Sequence, residues 1–183
     1  MIQRIRQFVR AINAKITKED IEFVNYFLTE QEQKLFFAMR VFDQRHVLNV
    51  AYTAKKIVQK NSIKSIDEFL LMKACLLHDV GRKAEYICLA DKVINVLISK
   101  FLPKQSLKWA RRAQALGKIK HRSFWQKRKY ALYIYFYHAQ IGAELLNDMG
   151  LYEIAEIISE HHKLLTSNVS IELQILCEAD SLN

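Results

Sequence analysis

The sequence predicts an all-α fold, a helical bundle built as a single domain. Hydrophobic residues make up 51% of the 183, yet the chain holds only four Gly and one Pro, so turn formers are too scarce for a sandwich or barrel. Apolar positions recur at helical spacing along most of the chain. Ser, Thr or Asp stands ahead of several of these runs in the place of a helix cap.

The chain starts with a basic amphipathic stretch, Met1 to Ile12, in which Arg4, Arg6 and Arg10 are set among Ile2, Ile5, Phe8, Val9 and Ile12. That pattern predicts a surface helix packed by one face, with contact to a membrane surface as the lesser alternative. Its arginines leave no uninterrupted apolar core for a signal peptide, and no later run reaches transmembrane length. Cys75, Cys88 and Cys177 are scattered and odd in number, as expected of reduced thiols in a cytoplasmic chain.

Thr17-Lys18-Glu19-Asp20 reads as a helix start, and Thr29-Glu30-Gln31-Glu32 as a capping box opening a second short helix. Phe23, Phe27, Leu35 and Phe36 should cover one side of the core. A longer helix is expected from about Asp43 to Lys60, where His46, Val50, Thr53 and Ile57 share a stripe. Ser65-Ile66-Asp67-Glu68 has the spacing of another capping box. It leads into Phe69 to Leu77, which is apolar except for Lys73 and should be buried almost all round.

That central helix ends in His78-Asp79-Val80-Gly81-Arg82, delivering an imidazole and a carboxylate into the interior, with Gly81 letting the chain turn away. A buried carboxylate is costly unless it is paired or binds a metal. Leu71, Ala74 and Cys75 lie on the face that His78 continues.

Ala84 to Lys100 reads as helical, and Pro103 marks a break. From Lys104 to Lys129 there are ten basic residues and no acidic one, which accounts for the whole net charge of +9. Gly117 is the expected turn. A partner of this segment should be anionic: nucleotide phosphates, RNA or an acidic membrane surface. From Phe124 to Tyr137, seven of fourteen residues are aromatic, too many for a polar loop.

A further helix is expected from about Lys129 to Met149, ended by Gly150 in a left-handed cap, with Ala131, Ile134, His138, Ile141, Gly142 and Leu145 along one face. Leu151, Ile154, Ile158 and His161 align on the next helix. Leu173, Leu176, Cys177 and Asp180 align on the last, about Ser170 to Leu182.

Five expected helices thus each place a metal-competent group on the stripe that otherwise faces the core: His46, the His78 and Asp79 pair, His138, His161 and Asp180. One histidine on an apolar face ordinarily serves packing. Four imidazoles and two carboxylates buried separately would each need a partner, whereas one cationic centre satisfies all of them. Nitrogen and carboxylate donors without thiolate suit Fe, Mn, Zn, Ni or Co, and the set is large enough for two ions bridged by a carboxylate.

These residues, in this order, resemble the HD-domain superfamily of metal-dependent phosphohydrolases. His78-Asp79-Val80-Gly81-Arg82 is similar to the HDIG-type motif, and the stretch from His138 to Leu146 is similar to that subgroup's segment carrying an extra histidine. The resemblance covers roughly residues 43–183. It implies an HD domain there, with residues 1–42 as N-terminal helices packing on it and a basic-aromatic insert at about 84–130.

The resemblance also implies that His46, His78, Asp79 and Asp180 hold one divalent transition metal ion, that His138 and His161 hold a second, and that Asp79 bridges them. The implied activity is hydrolysis of a phosphomonoester or phosphoanhydride, in a nucleotide or other small-molecule phosphate, by a metal-activated water. Asp79 and Arg82 are the implied catalytic residues. Arg82 replaces the motif's usual lysine, keeping the positive charge and adding a planar fork suited to phosphate.

Substrate contacts are expected from Arg82, Lys83 and His162, and from Lys118, Lys120 and Arg122 in a lid with Trp125. Arg45 and Asn49, close to His46 in sequence, are candidates to support the ligands. The competing expectation is a metal-stabilised protein that binds RNA or an acidic membrane through residues 104–129, or acts as a regulatory domain, without significant catalysis.

Overall fold

The computed structural model describes residues 14–63, 65–83, 88–119, 121–163 and 169–183, with the backbone alone for Lys118. The basic stretch Met1 to Ile12, Lys120 and the Lys118 side chain lie outside the described residues. The helices are α1 (Lys18–Phe27), α2 (Glu30–Ala38), α3 (Val41–Asn61), α4 (Glu68–Leu77), α5 (Leu89–Phe101), α6 (Pro103–Ala113), α7 (Phe124–Asn147), α8 (Tyr152–Glu160) and α9 (Ile171–Leu182), with a 3₁₀ turn at Gln114–Lys118. Among the described residues there is no strand, only an isolated bridge between Met39 and Lys83.

Local chemistry accounts for most boundaries. The Thr17 hydroxyl accepts from the Asp20 N–H while the Asp20 carboxylate accepts from the Thr17 N–H, and Thr29 and Glu32 repeat this reciprocal cap. The α4 cap is Asp67, whose carboxylate accepts from the Leu70 N–H, in place of the expected Ser65. Asp67 is tied in turn by its own N–H to Glu172 of α9, a long-range bond invisible to local pattern. Gly150 has φ +78°, and Leu151 N–H closes onto the Leu146 carbonyl, the left-handed termination expected there.

α4 runs through the middle of the bundle. Leu71, Met72, Ala74, Cys75, Leu76 and Leu77 are all fully buried, against Val47, Leu48, Val50, Ala51 and Ala54 of α3, Ile154 and Ile158 of α8, and Leu173 and Leu176 of α9. Lys73 reaches the buried Glu32 of α2 at 2.7 Å. Phe69 departs from the expected all-round burial: it is half-exposed, in a ring cluster with Tyr26 and Phe27 of α1.

α1 is fastened to α3 by a polar knot. Asp20, buried, accepts from the Arg45 guanidinium and from the Tyr52 hydroxyl at 2.8 Å. Burial raises the Asp20 pKa, but the bonds from Arg45, the Thr17 backbone and Tyr52 overcome it and hold the carboxyl at about 2. Arg45 is therefore committed to this knot. Because the folded pKa lies below the ordinary 3.8, Asp20 contributes full stability above pH 3.8 and loses it as pH falls toward 2, about 2–3 kcal/mol in all. Urea unfolding of Asp20→Ala at pH 7 should show a loss of that order, and the difference from the parent chain should shrink at pH 2.5.

Candidate metal centre

The site forms where the C-termini of α4 and α8 meet the middles of α3 and α7 and the end of α9. His78 is the C-cap residue of α4, and His161 that of α8. At both positions the ring folds back onto its own helix: His78 Nδ1 lies 2.9 Å from the Cys75 carbonyl, and His161 Nδ1 bonds the Ile158 carbonyl. In α7, His138 Nδ1 makes the same three-residue return to Tyr135 at 3.1 Å. A carbonyl only accepts, so Nδ1 carries the proton in all three rings and each Nε2 presents a lone pair. A second atom that fixes the ring and its tautomer is what a metal-binding histidine ordinarily has behind it.

The Nε2 atoms converge. His46, His78 and Asp79 offer donor atoms within 4.8 Å of one another, and so do His138, His161 and His162. Asp180 Oδ1 joins the first group, 3.0 Å from His46 Nε2 and 3.9 Å from His78 Nε2. Asp79 stands between the groups: Oδ1 is 3.8 Å from His78 Nε2 and 3.3 Å from His138 Nε2, and Oδ2 is 3.9 Å from His46 Nε2.

Three of these buried atoms, His78 Nε2, Asp79 Oδ1 and His161 Nε2, have no hydrogen-bond partner among the described residues. An unsatisfied buried polar atom costs about 1–3 kcal/mol, more when charged. Several aimed at one place fit a bound cation, and the nitrogen-rich donor set suits a transition metal.

Among the described residues, Arg82 is the protein cation inside the cluster. It donates to Asp79 Oδ2 at 2.6 Å and approaches His138 Nε2 to 3.0 Å, so it and an ion at His138 compete for the same lone pair. Burial pushes the Asp79 pKa up, but Arg82 first, then His78, His138 and His46, hold the carboxyl well below the ordinary range. Burial likewise raises Asp180, which the hydrogen bond from His46 more than offsets. Both acids are therefore anionic at neutral pH.

Burial, and then the charge of Arg82, lowers His138 and His162. Burial, with His78 and His162 next, lowers His161 to about 3. His161 thus stays unprotonated and available as a ligand well into acid, and His138 and His162 are shifted in the same direction. The cost appears as stability: between the ordinary 6.5 and about 3, the unfolded chain takes up a proton that the folded His161 refuses, and His138 and His162 act in the same direction. Chelator-treated protein should therefore unfold at lower urea as pH falls from 7 to 5, and a saturating divalent ion should shift the midpoint back up.

All six expected ligands are brought together, with Arg82 among them. His162, expected as a substrate contact, sits closer to the centre than that. Its Nε2 is 2.9 Å from His138 Nε2, although its outer edge is exposed. The doubled His161-His162 at a helix end was the sequence signal for it. Lys83 is half-buried, with its backbone bridged to Met39. Arg122 donates to the Leu116 and Gly117 carbonyls and lies over the Tyr130 ring.

Gly81 acts differently from the expected turn former, since among the described glycines only Gly150 has positive φ. A Cβ at Gly81 would lie 2.1 Å from the His138 carbonyl oxygen and 3.0 Å from the Gly142 nitrogen. Gly81 is what lets the His78-Asp79 turn lie directly on the backbone of α7.

No curated protein and no solved structure matches the chain. Residues 44–100 match the family model described as the HD domain, a span that contains His46, His78 and Asp79. With the clustered histidines and aspartates, that match shows a likeness to the HD domain over residues 44–100 of the chain.

Proposed function

We propose that this protein hydrolyses a phosphomonoester or phosphoanhydride bond in a nucleotide, using two divalent transition metal ions. The observation that carries the reading is the set of three buried donor atoms, His78 Nε2, Asp79 Oδ1 and His161 Nε2, without hydrogen-bond partners among the described residues and inside a ring of further donors. His46, His78, Asp79 and Asp180 would hold one ion, and His138 and His161 the other, with His162 at its edge and Asp79 shared. The bound ions would supply Lewis-acid activation of the phosphoryl group and of a water.

The chain's own residues do the rest. The Cys75, Tyr135 and Ile158 carbonyls keep three imidazoles in the ligating tautomer and orientation. Arg82 has a fork matched to two phosphoryl oxygens, and stands close enough to the donors to stabilise charge that develops on them. Lys83 follows it in the chain and would add positive charge for a phosphate. His162, reachable from outside, can hydrogen-bond a phosphoryl oxygen at the mouth.

The test is phosphate release from a panel of nucleoside mono-, di- and triphosphates by protein saturated with Mn²⁺, Co²⁺ or Ni²⁺. Turnover of at least one nucleotide, abolished by chelation and restored by the ion, is expected. A metal-loaded protein that releases phosphate from none of them, nor from simple aryl phosphates, refutes the hydrolase reading.

A further inference from the structure

Helix α5 is mounted with its polar residues inward. Asp91 and Asn95 are buried, while Val93, Ile94, Leu97 and Phe101, at helical spacing, are exposed by 40%, 47%, 49% and 71%. A helix free to choose would bury that apolar stripe. Specific bonds fix the opposite rotation. Asp91 pairs with Arg128 of α7 at 2.8 Å and caps α5 through the Cys88 N–H; Asn95 donates to the Ala131 carbonyl of α7; and Lys92 pairs with the buried Asp43 of α3. The apolar face is thus held outward by three anchors.

The surroundings of that face identify its partner. From Lys92 to Ala143 the chain contains no acidic residue and twelve basic ones. α6 follows α5 after the single residue Leu102, itself exposed, and turns Lys104, Lys108, Arg111 and Arg112 to solvent. Lys100 lies over the exposed Phe101 ring, and Arg128 over the ring of Phe124. Both tryptophans of the chain, Trp109 and Trp125, stand exposed in the same segment, at 44% and 72%.

An exposed apolar helical stripe in a segment that also exposes lysines, arginines and aromatic residues, and that has no acid from Lys92 to Ala143, complements an anionic lipid surface. The apolar side chains can enter the acyl boundary while the bases meet the headgroups. RNA would use the bases and leave the stripe in water. A second copy of the chain would bring like charge against like.

We infer that the α5–α6 hairpin, with the first turn of α7, docks this protein on anionic membrane surfaces through Val93, Ile94, Leu97 and Phe101. The inference does not depend on the proposed reaction, and its test reads no activity.

Full-length protein is mixed with vesicles of phosphatidylcholine alone or containing phosphatidylglycerol, and followed by co-sedimentation and tryptophan fluorescence. Binding to the phosphatidylglycerol vesicles, with a blue shift of the emission, is expected. The variant Ile94→Ser, Leu97→Ser, Phe101→Ser alters exposed positions only and should lower the partition by at least about tenfold. Lys104→Gln, Lys108→Gln, Arg112→Gln should do so by about fivefold per charge removed.

Three results would overturn the inference. One is no sedimentation with either vesicle. Another is binding that the apolar variant leaves unchanged, which would indicate a purely electrostatic surface such as one for RNA. The third is a dimer in solution that the apolar variant dissociates while vesicle binding is absent.

Discussion

Changing His78 to alanine is expected to lower phosphate release by more than about a hundredfold, the upper range for losing a group that merely supports a ligand. His78 is 1% exposed and its Nε2 faces both Asp79 and Asp180, so its loss opens the first donor group from within. Because alanine also leaves a cavity, His78→Gln serves as the companion variant, keeping most of the volume without the nitrogen in the same place. In both variants, bound metal measured by mass spectrometry should fall while helical circular dichroism is retained. Near-parental turnover in a folded, metal-depleted His78→Ala protein would remove His78 from the chemistry.

Gly81→Ala should be the most damaging methyl group that can be added near the site. The new Cβ would meet the His138 carbonyl oxygen at 2.1 Å, and a backbone oxygen in a helix cannot swing aside as a side chain can. Either the His78-Asp79 turn lifts away or α7 shifts, and both carry donors out of register. A destabilisation of about 1–3 kcal/mol is expected, with weaker ion binding in the protein that still folds. Gly142→Ala is the built-in comparison. Its Cβ would meet Ile158 Cδ1 at 3.2 Å, the end of a flexible side chain, so it should cost less. Equal effects of the two substitutions, measured by urea unfolding and by calorimetric titration with Mn²⁺, would mean that the close approach at Gly81 is unimportant.

The helical architecture and the six donors were legible in the sequence because each rests on local pattern. Thr17 and Thr29 announce their helices through reciprocal caps, and His46, His138, His161 and Asp180 each extend an apolar stripe that must face inward. Features that depend on distant partners were less visible. Asp67, not Ser65, starts α4 because Glu172, more than a hundred residues away in sequence, holds its backbone. α7 begins at Phe124, ahead of the expected Lys129, although Ser123 and Gln126 carried the capping-box spacing that could have shown it. The outward stripe of α5 runs against the rule that apolar residues go inside. It follows from Asp91, Asn95 and Lys92 finding partners on α7 and α3, and no window of the sequence contains both halves of those pairs.

Arg82 combines both kinds of information. Its sequence position suggested a phosphate contact, while the structure adds bonds to Asp79 and His138. On the proposed reading, an ion that took those partners would release Arg82, whose planar fork would then suit a phosphate.

The most direct measurement for the central claim is anomalous scattering from crystals of the protein loaded with Mn²⁺. Two peaks about 3.5–4 Å apart are predicted, one among His46, His78, Asp79 and Asp180 and the other beside His138 and His161, with Asp79 touching both. Clean density for these side chains with no anomalous peak among them, in protein saturated with the ion, would contradict it.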